Sequence, residues 1–264
     1  MVFTGCAVQT TPSVIRIGLL APFEGRYREI GYDLLYAARL ALRDAGQAHL
    51  ELFPIDDGGA VESAIDRAEA LRRNPLVQVV MVAGLAATDP QTLAAFGDLP
   101  VIVIGHWGVE NPPDTVFVLA NAESAQMWTV SGRSELIDVV ENEGELIGGE
   151  ILALAQFPRL REDLTGVTII TSAKFPDAAF STRYIESDLY VDPPGLLAML
   201  GYDATGIAAQ VSMGRSREQV RQALTTLDYT GLHGTIRFNR GFWQDAPIYG
   251  YQYDRETRTL IDFP

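Results

Sequence analysis

Apolar and polar positions alternate along this chain with two periods. Residues 14–20 form a short apolar run, broken by Pro22 and Gly25. Residues 30–45 carry Leu34, Leu35, Ala38, Ala41, Leu42 and Ala45 at helical spacing, and Gly46 stands where a helix stop is expected. Residues 50–55 are a second apolar run, closed by Asp56, Asp57, Gly58 and Gly59. A strand, a helix of roughly four turns and a strand at this length require a crossover, so the two strands are expected to be parallel. In such sheets ligands sit beyond the carboxyl ends of the strands, where the strand order switches. That singles out the loops 21–28 and 56–60.

The alternation continues. Residues 60–74 predict a helix with Ala64, Ile65, Ala68 and Leu71 on one face, ended by Asn74 and Pro75. Residues 77–83 are almost wholly apolar, as expected for a strand covered on both faces, and 84–89 form its carboxyl-end loop. Asp89 and Pro90 open a third helix reaching residue 96, and 99–104 form a fourth strand that ends in Gly105, His106, Trp107 and Gly108. Residues 14–108 therefore read as an open, doubly wound α/β layer. Beyond it the order loosens. A short strand is expected over 115–119, and 120–134 show no clear period. Residues 136–140 read as a strand, 145–156 as a helix and 166–171 (GVTIIT) as a strand. Helices are expected over 178–189, 195–213 and 216–227, and antiparallel strands over 235–238, 248–253 and 259–261. The expected division is a tether over 1–13, a first α/β lobe over 14–119 and a second, shortened α/β lobe over 120–264 that includes return segments and a C-terminal β-hairpin.

Composition narrows the function. The 264 residues suffice for one large domain or two lobes. A net charge of −14 argues against nucleic acid, whose phosphates call for a basic face. Lys174 is the one lysine among 20 basic residues, which reads as compositional bias before anion recognition. No run approaches the ~18 apolar residues of a membrane helix. The single cysteine, Cys6, excludes an internal disulfide. Its setting, Phe3-Thr4-Gly5-Cys6 before a polar, proline-containing stretch, resembles a bacterial lipobox, where the thiol carries a diacylglycerol. The basic and apolar regions of a signal do not precede it. That leaves a late start, a trimmed chain or a chance match, with a stray terminal cysteine as the plain alternative.

In this order the segments resemble the type I periplasmic solute-binding proteins of ABC transporters, the branched-chain amino acid (Leu/Ile/Val) binding type. IRIGLLAPFEGRYREIGYDLLYAARLALRDAG is similar to the family opening, and LELFPIDDGGAVESAIDRAEALRRNPLVQVVMVAG to the section after it. LGYDATGIAAQV matches a Tyr-Asp-Ala helix at Tyr202, Asp203 and Ala204. GLHGTIRFNRGF matches a closing hairpin at Gly231, Gly234, Ile236 and Phe238. The resemblance covers residues 14 to about 119 and about 160 to 260. It implies a two-lobe fold with mostly parallel sheets, a small-molecule ligand between the lobes and a transporter permease as partner. It departs in two places. Only some 45 residues separate Leu119 from GVTIIT, so the second lobe is reduced. In amino acid binders of this type, the loops after the third and fourth strands offer hydroxyls and amides to the ligand carboxylate. Here they read Leu85, Ala86, Ala87 and Thr88, then His106, Trp107 and Gly108, so one hydroxyl remains and a Trp takes the others' place. Backbone N–H groups at the following helix start are still able to hold an anion.

Individual residues follow from these loops. Glu24, Arg26 and Tyr27 lie in the first carboxyl-end loop, Tyr27 to cover an apolar part of a ligand and Glu24 or Arg26 to hold a charge; a solvated turn is the alternative. Trp107 offers a flat face and one N–H donor, suited to a ring or a cation, or else it caps the sheet. His106 reads first as a satisfied polar residue, and with three histidines in all a zinc site is not expected. Asp56 and Asp57 read as loop and cap residues rather than an acid–base pair. Glu141 or Glu143 is placed to take an ammonium group, as an acidic residue does in the family, or is simply exposed. Ser172, Lys174 and Phe175 follow a strand of the second lobe and face the cleft if that lobe is complete. Tyr202 and Asp203 tie a helix to the lobe interface. No Gly-x-Ser-x-Gly elbow, P-loop or Gly-x-Gly-x-x-Gly occurs, so neither an enzyme nor a cofactor is expected. The reading is an extracytoplasmic solute-binding protein for ABC-type uptake. The alternative is a sensor or scaffold that keeps the fold without transport.

Overall fold

A computed structural model describes residues 14–142, 144–189 and 191–263. Cys6, its tether and Glu143 lie outside the described residues. Along the chain run β1 (Ile15–Ala21), α1 (Arg28–Ala45), β2 (Leu50–Asp56), α2 (Val61–Arg73), β3 (Val77–Val82), α3 (Pro90–Ala95), β4 (Val101–Ile104) and β5 (Val116–Leu119). Next come α4 (Leu136–Glu141), β6 (Leu146–Gly148), α5 (Phe157–Leu160), β7 (Val167–Thr171) and α6 (Ala178–Ile185). The chain ends with α7 (Ala198–Ser212), α8 (Arg217–Thr225), β8 (Tyr229–Gly231), β9 (Gly234–Ile236), β10 (Phe238–Asn239), β11 (Phe242–Trp243), β12 (Tyr249–Tyr253) and β13 (Leu260–Phe263).

The first sheet has seven strands in the order β10-β11-β5-β4-β3-β1-β2, parallel except for the β10–β11 pair. Chain order reverses at β1, which lies between β2 and β3. The register sets Ala21 opposite Asp56 and Leu20 opposite Val82, so the carboxyl ends of β1, β2 and β3 share one rim. That rim is the switch point at which α/β sheets bind ligands. The helix α1 stops at Gly46, whose φ of 63° is the left-handed conformation that glycine adopts freely. Gly31 is glycine for a different reason: its N–H donates to Pro22 O at 3.1 Å, and a Cβ there would stand 2.2 Å from that oxygen. The helix α7 is buried on nearly every side because it lies between α1, α8 and the sheet, and its apolar residues accordingly run all round the helix.

The second sheet is small, in the order β13-β12-β7-β6, with β6–β7 parallel and the other pairs antiparallel. Three expectations change here. Residues 136–140 form the helix α4 rather than a strand: Leu136 and Val139 are buried while Ile137 and Asp138 face solvent, a spacing of three rather than two. The helix expected over 145–156 is replaced by β6, a 3₁₀ turn at Glu150–Ala153 and the short α5. The Gly148-Gly149 pair explains the change, since glycine weakens a helix interior and Trp128 packs where a Cβ on Gly149 would stand, 2.5 Å away. The third is the division at residue 120. The sheet order puts β10 and β11 on the first sheet, and α6, α7 and α8 pack with α1 and that sheet. The chain thus returns to the first body after β7 and leaves it again for β12 and β13.

Candidate functional site at the lobe junction

The first rim loop is held by Asp56 at the end of β2. Its Oδ1 accepts from Phe23 N (2.6 Å) and Glu24 N (3.1 Å), and its Oδ2 from Gly58 N (3.0 Å). Asp57 caps its own turn through Gly59 N at 2.8 Å, and burial pushes its carboxyl up to about 6. Both acids therefore shape loops. Glu24 points to solvent. Tyr27 crosses to the other body: its hydroxyl donates to the Glu135 carboxylate and accepts from Leu136 N at 2.9 Å. Burial first, and the Glu135 carboxylate second, push that phenol up to about 12. Two residues on, Glu29 accepts from Ala155 N at 2.6 Å, and Gln156 donates to Arg26 O at 2.6 Å.

The loop after β3 is occupied by a side chain that sequence reasoning passed over. Arg133 Nη2 donates to Leu85 O (2.7 Å) and Asp89 Oδ2 (3.0 Å). Its Nη1 donates to Thr88 Oγ1 (3.1 Å) and to Trp107 O (3.4 Å) in the loop after β4. Burial pulls the guanidinium below its ordinary value, against the Asp89 and Glu135 carboxylates. The donors expected for an anion are spent. Thr88 is buried and gives its own proton to Gly84 O (2.7 Å), and the Thr88 N–H also goes to Gly84 O (3.1 Å). The α3 start is capped by Asp89 Oδ1, which accepts from Gln91 N (2.9 Å). Ala86 and Ala87 are buried beneath, with Ala86 O taken by Thr92 Oγ1 (2.8 Å).

Trp107 shows no open face. It is 2% exposed, its Nε1 donates to Ile104 O at 2.6 Å, and its φ of 47° is a left-handed conformation rare for so bulky a residue. His106 is also 2% exposed. Its ring lies 5.1 Å from Trp128 and 5.9 Å from Phe242, and neither ring nitrogen has a hydrogen-bond partner among the described residues. Burial pushes its imidazole down to about 4, so it is neutral. Its backbone N–H donates to Glu150 Oε1 (3.3 Å), which also accepts from Thr171 Oγ1 (2.9 Å). Glu150 is buried across the junction, and burial raises its carboxyl.

The remaining candidates lie apart from this cluster. Glu141 is exposed at the far end of α4 from the Tyr27 contact. Lys174 and Phe175 point outward, and only their backbone amides are held, by His233 Nε2 (3.0 Å) and the Tyr251 hydroxyl (2.9 Å). His233 Nδ1 pairs with Asp203 Oδ2 at 2.7 Å, both side chains fully buried, so Asp203 does tie α7 to the junction. Ser172 accepts from Asn121 N at 2.9 Å. The residues not anticipated are Trp128, Arg133, Glu135 and Glu150. A lone acid inside the apolar run LIGGEILAL was the one visible signal among them. Two cavities, of about 340 and 540 Å³, open at the amino ends of the strands, beside Leu76 and Arg215 and beside Arg72 and Arg217. No cluster of metal-binding side chains occurs among the described residues. No described helix is long and apolar enough to cross a membrane.

No family model and no curated protein matches the sequence. Solved structures match its fold. A leucine-binding protein from Thermotoga maritima aligns with a TM-score of 0.73 at 12% identity, covering 95% of this chain and 98% of that one. The branched-chain amino acid substrate-binding protein of Streptococcus pneumoniae, in complex with isoleucine, gives 0.71 at 14% identity, covering 95% and 100%. A solute-binding protein from R. palustris in complex with benzoate gives 0.66 at 13% identity, covering 95% and 96%. The chain therefore has the type I periplasmic binding protein fold, with mixed sheets rich in parallel pairs and a second lobe of reduced size.

Proposed function

We propose that this chain is an extracytoplasmic binding protein that takes a small solute between its lobes and presents it to the permease of an ABC-type importer. One observation carries the reading. The rim loops after β1, β3 and β4 meet the 121–136 segment through side-chain contacts, while the two main sheets share no strand among the described residues. Contacts of that kind can open and close about the chain crossings, and a ligand that touches both lobes raises the closed population that a membrane partner reads. Lipidation at Cys6 would keep the module at the outer face of a membrane. No catalytic constellation supports an enzyme.

A second reading, a sensor or scaffold without transport, is favoured by the filling of the rim by Arg133 and Trp128. A thermal-shift screen of amino acids, guanidines, polyamines, purines and small aromatic acids separates the two. A ligand at ~100 times its dissociation constant adds ~2.7 kcal/mol, several degrees for a chain of this size. The binding-protein reading expects one chemical class to shift the melting point and to change the small-angle scattering. A well-folded sample that responds to none favours the scaffold.

A further inference from the structure

We propose that the rim between the loops after β3 and β4 is a guanidinium seat, and that Arg133 is its occupant in the closed, solute-free form. The inference rests on the binding-protein reading above and names the solute class for that site.

The chemistry of the seat is that of an acceptor. Leu85 O, Trp107 O, Thr88 Oγ1 and the Asp89 carboxylate converge on one guanidinium at 2.7–3.4 Å. The Thr88 proton is committed to Gly84 O, so that hydroxyl offers only lone pairs. The amides that would greet an anion are used as well, Thr88 N by Gly84 O, Asp89 N by Ala86 O and Gln91 N by Asp89 Oδ1. A carboxylate placed here would meet oxygens and a negative charge. The wider field points the same way: the chain carries −14, and Asp56, Asp57 and Glu135 stand around the same rim. Such a mouth draws cations inward.

The arrangement distinguishes a guanidinium from an ammonium. Each terminal nitrogen of Arg133 meets two acceptors at once, which a planar fork does from fixed positions and a single ammonium does not. Arg133 belongs to the 121–136 segment, so opening the junction removes it and leaves the acceptors to solvent. A solute guanidinium and Arg133 then compete for one place. The apparent affinity of the intact chain falls with the fraction of time the place is free.

Isothermal titration of agmatine, methylguanidine, putrescine and leucine into the full chain and into Arg133→Ala tests this. Arg133→Ala is expected to bind the two guanidines at least tenfold more tightly than the intact chain, with no comparable gain for putrescine or leucine. Adding Asp89→Asn should abolish the gain. A folded Arg133→Ala without that gain, or with an equal gain for putrescine, overturns the proposal. If Arg133→Ala does not fold, agmatine binding to the intact chain decides. A tenfold loss in Asp89→Asn supports the seat, and absent or unaffected binding overturns it. Leucine binding to an intact chain that ignores guanidines would remove the seat and leave the binding-protein reading standing. A guanidine gain in the variant with no closure by any solute would do the reverse.

Discussion

His106 carries a cost that its neighbours do not relieve. Both ring nitrogens are buried between Trp128 and Phe242 without a hydrogen-bond partner among the described residues, and an unpaired buried polar atom costs about 1–3 kcal/mol. Its imidazole titrates near 6.5 when unfolded and is pushed down to about 4 in the fold. The stability tied to the neutral ring is present above pH 6.5 and is lost as pH falls through 4. Each pH unit of that window is worth up to ~1.4 kcal/mol. Asp57 works in the opposite sense: its carboxyl rises from 3.8 to about 6, so its share is lost as pH rises through 6. His106→Phe keeps the aromatic packing and removes the titration. Urea unfolding should show the variant at least as stable as the parent at pH 7, and more stable by ~2 kcal/mol or above at pH 4.5. An equal pH slope in both proteins would place the acid sensitivity elsewhere.

The elements of the second body are too short to stand alone: α4 has six residues and α5 four, far below the length at which isolated helices persist. Arginines hold them. Arg161 is buried and donates to the carbonyls of Asp163 (2.7 Å), Gly144 (3.2 Å), Val140 (3.4 Å) and Asn142, closing the carboxyl end of α4. Arg258 does the same for Pro158, Arg161 and Glu162 around α5. Arg161→Ala leaves these carbonyls without their partner and should cost ~2–3 kcal/mol. Arg161→Lys should recover little, because an ammonium cannot span them. Hydrogen exchange on α4 and β6 measures both; slow exchange in the Ala variant would sink the idea. The same shortness explains what could be read in advance. The first body is built from local βαβ repeats whose period shows in the sequence, and its strands and helices stand where the alternation puts them. In the second body, α4 and β6 are decided by distant partners, Trp128 against Gly149 and Arg161 against α4, which leave no period. Gly149→Ala should therefore act far beyond its own turn, displacing Trp128 at a cost of ~1–3 kcal/mol. Tryptophan fluorescence that is unchanged on substitution would argue against that packing.

At the scale of the molecule the question is whether the junction opens. The loops that form the rim could be located from strand order alone. Their occupant could not, because Arg133 is one arginine among many in a stretch without period. The closed form is tied by the Tyr27–Glu135 hydrogen bond with Leu136 N, by Glu29 to Ala155 N, and by the Arg133 cluster. Taking a population from mostly closed to mostly open requires about 5.5 kcal/mol. Tyr27→Phe removes about 1–2 kcal/mol of hydrogen bonding, a change of roughly tenfold in the closed-to-open ratio. Combining it with Arg133→Ala, which removes a charged donor from four acceptors, adds a further ~2–3 kcal/mol, so that the pair supplies most of that shift towards the open state. The intact chain should scatter with the radius of gyration of a compact chain of its length, ~18 Å. The double variant should scatter with a larger radius. A double variant that stays folded and keeps the compact radius would mean that the two bodies form one fixed unit, held by the buried Asp203–His233 pair and the Glu150 cluster rather than by the rim.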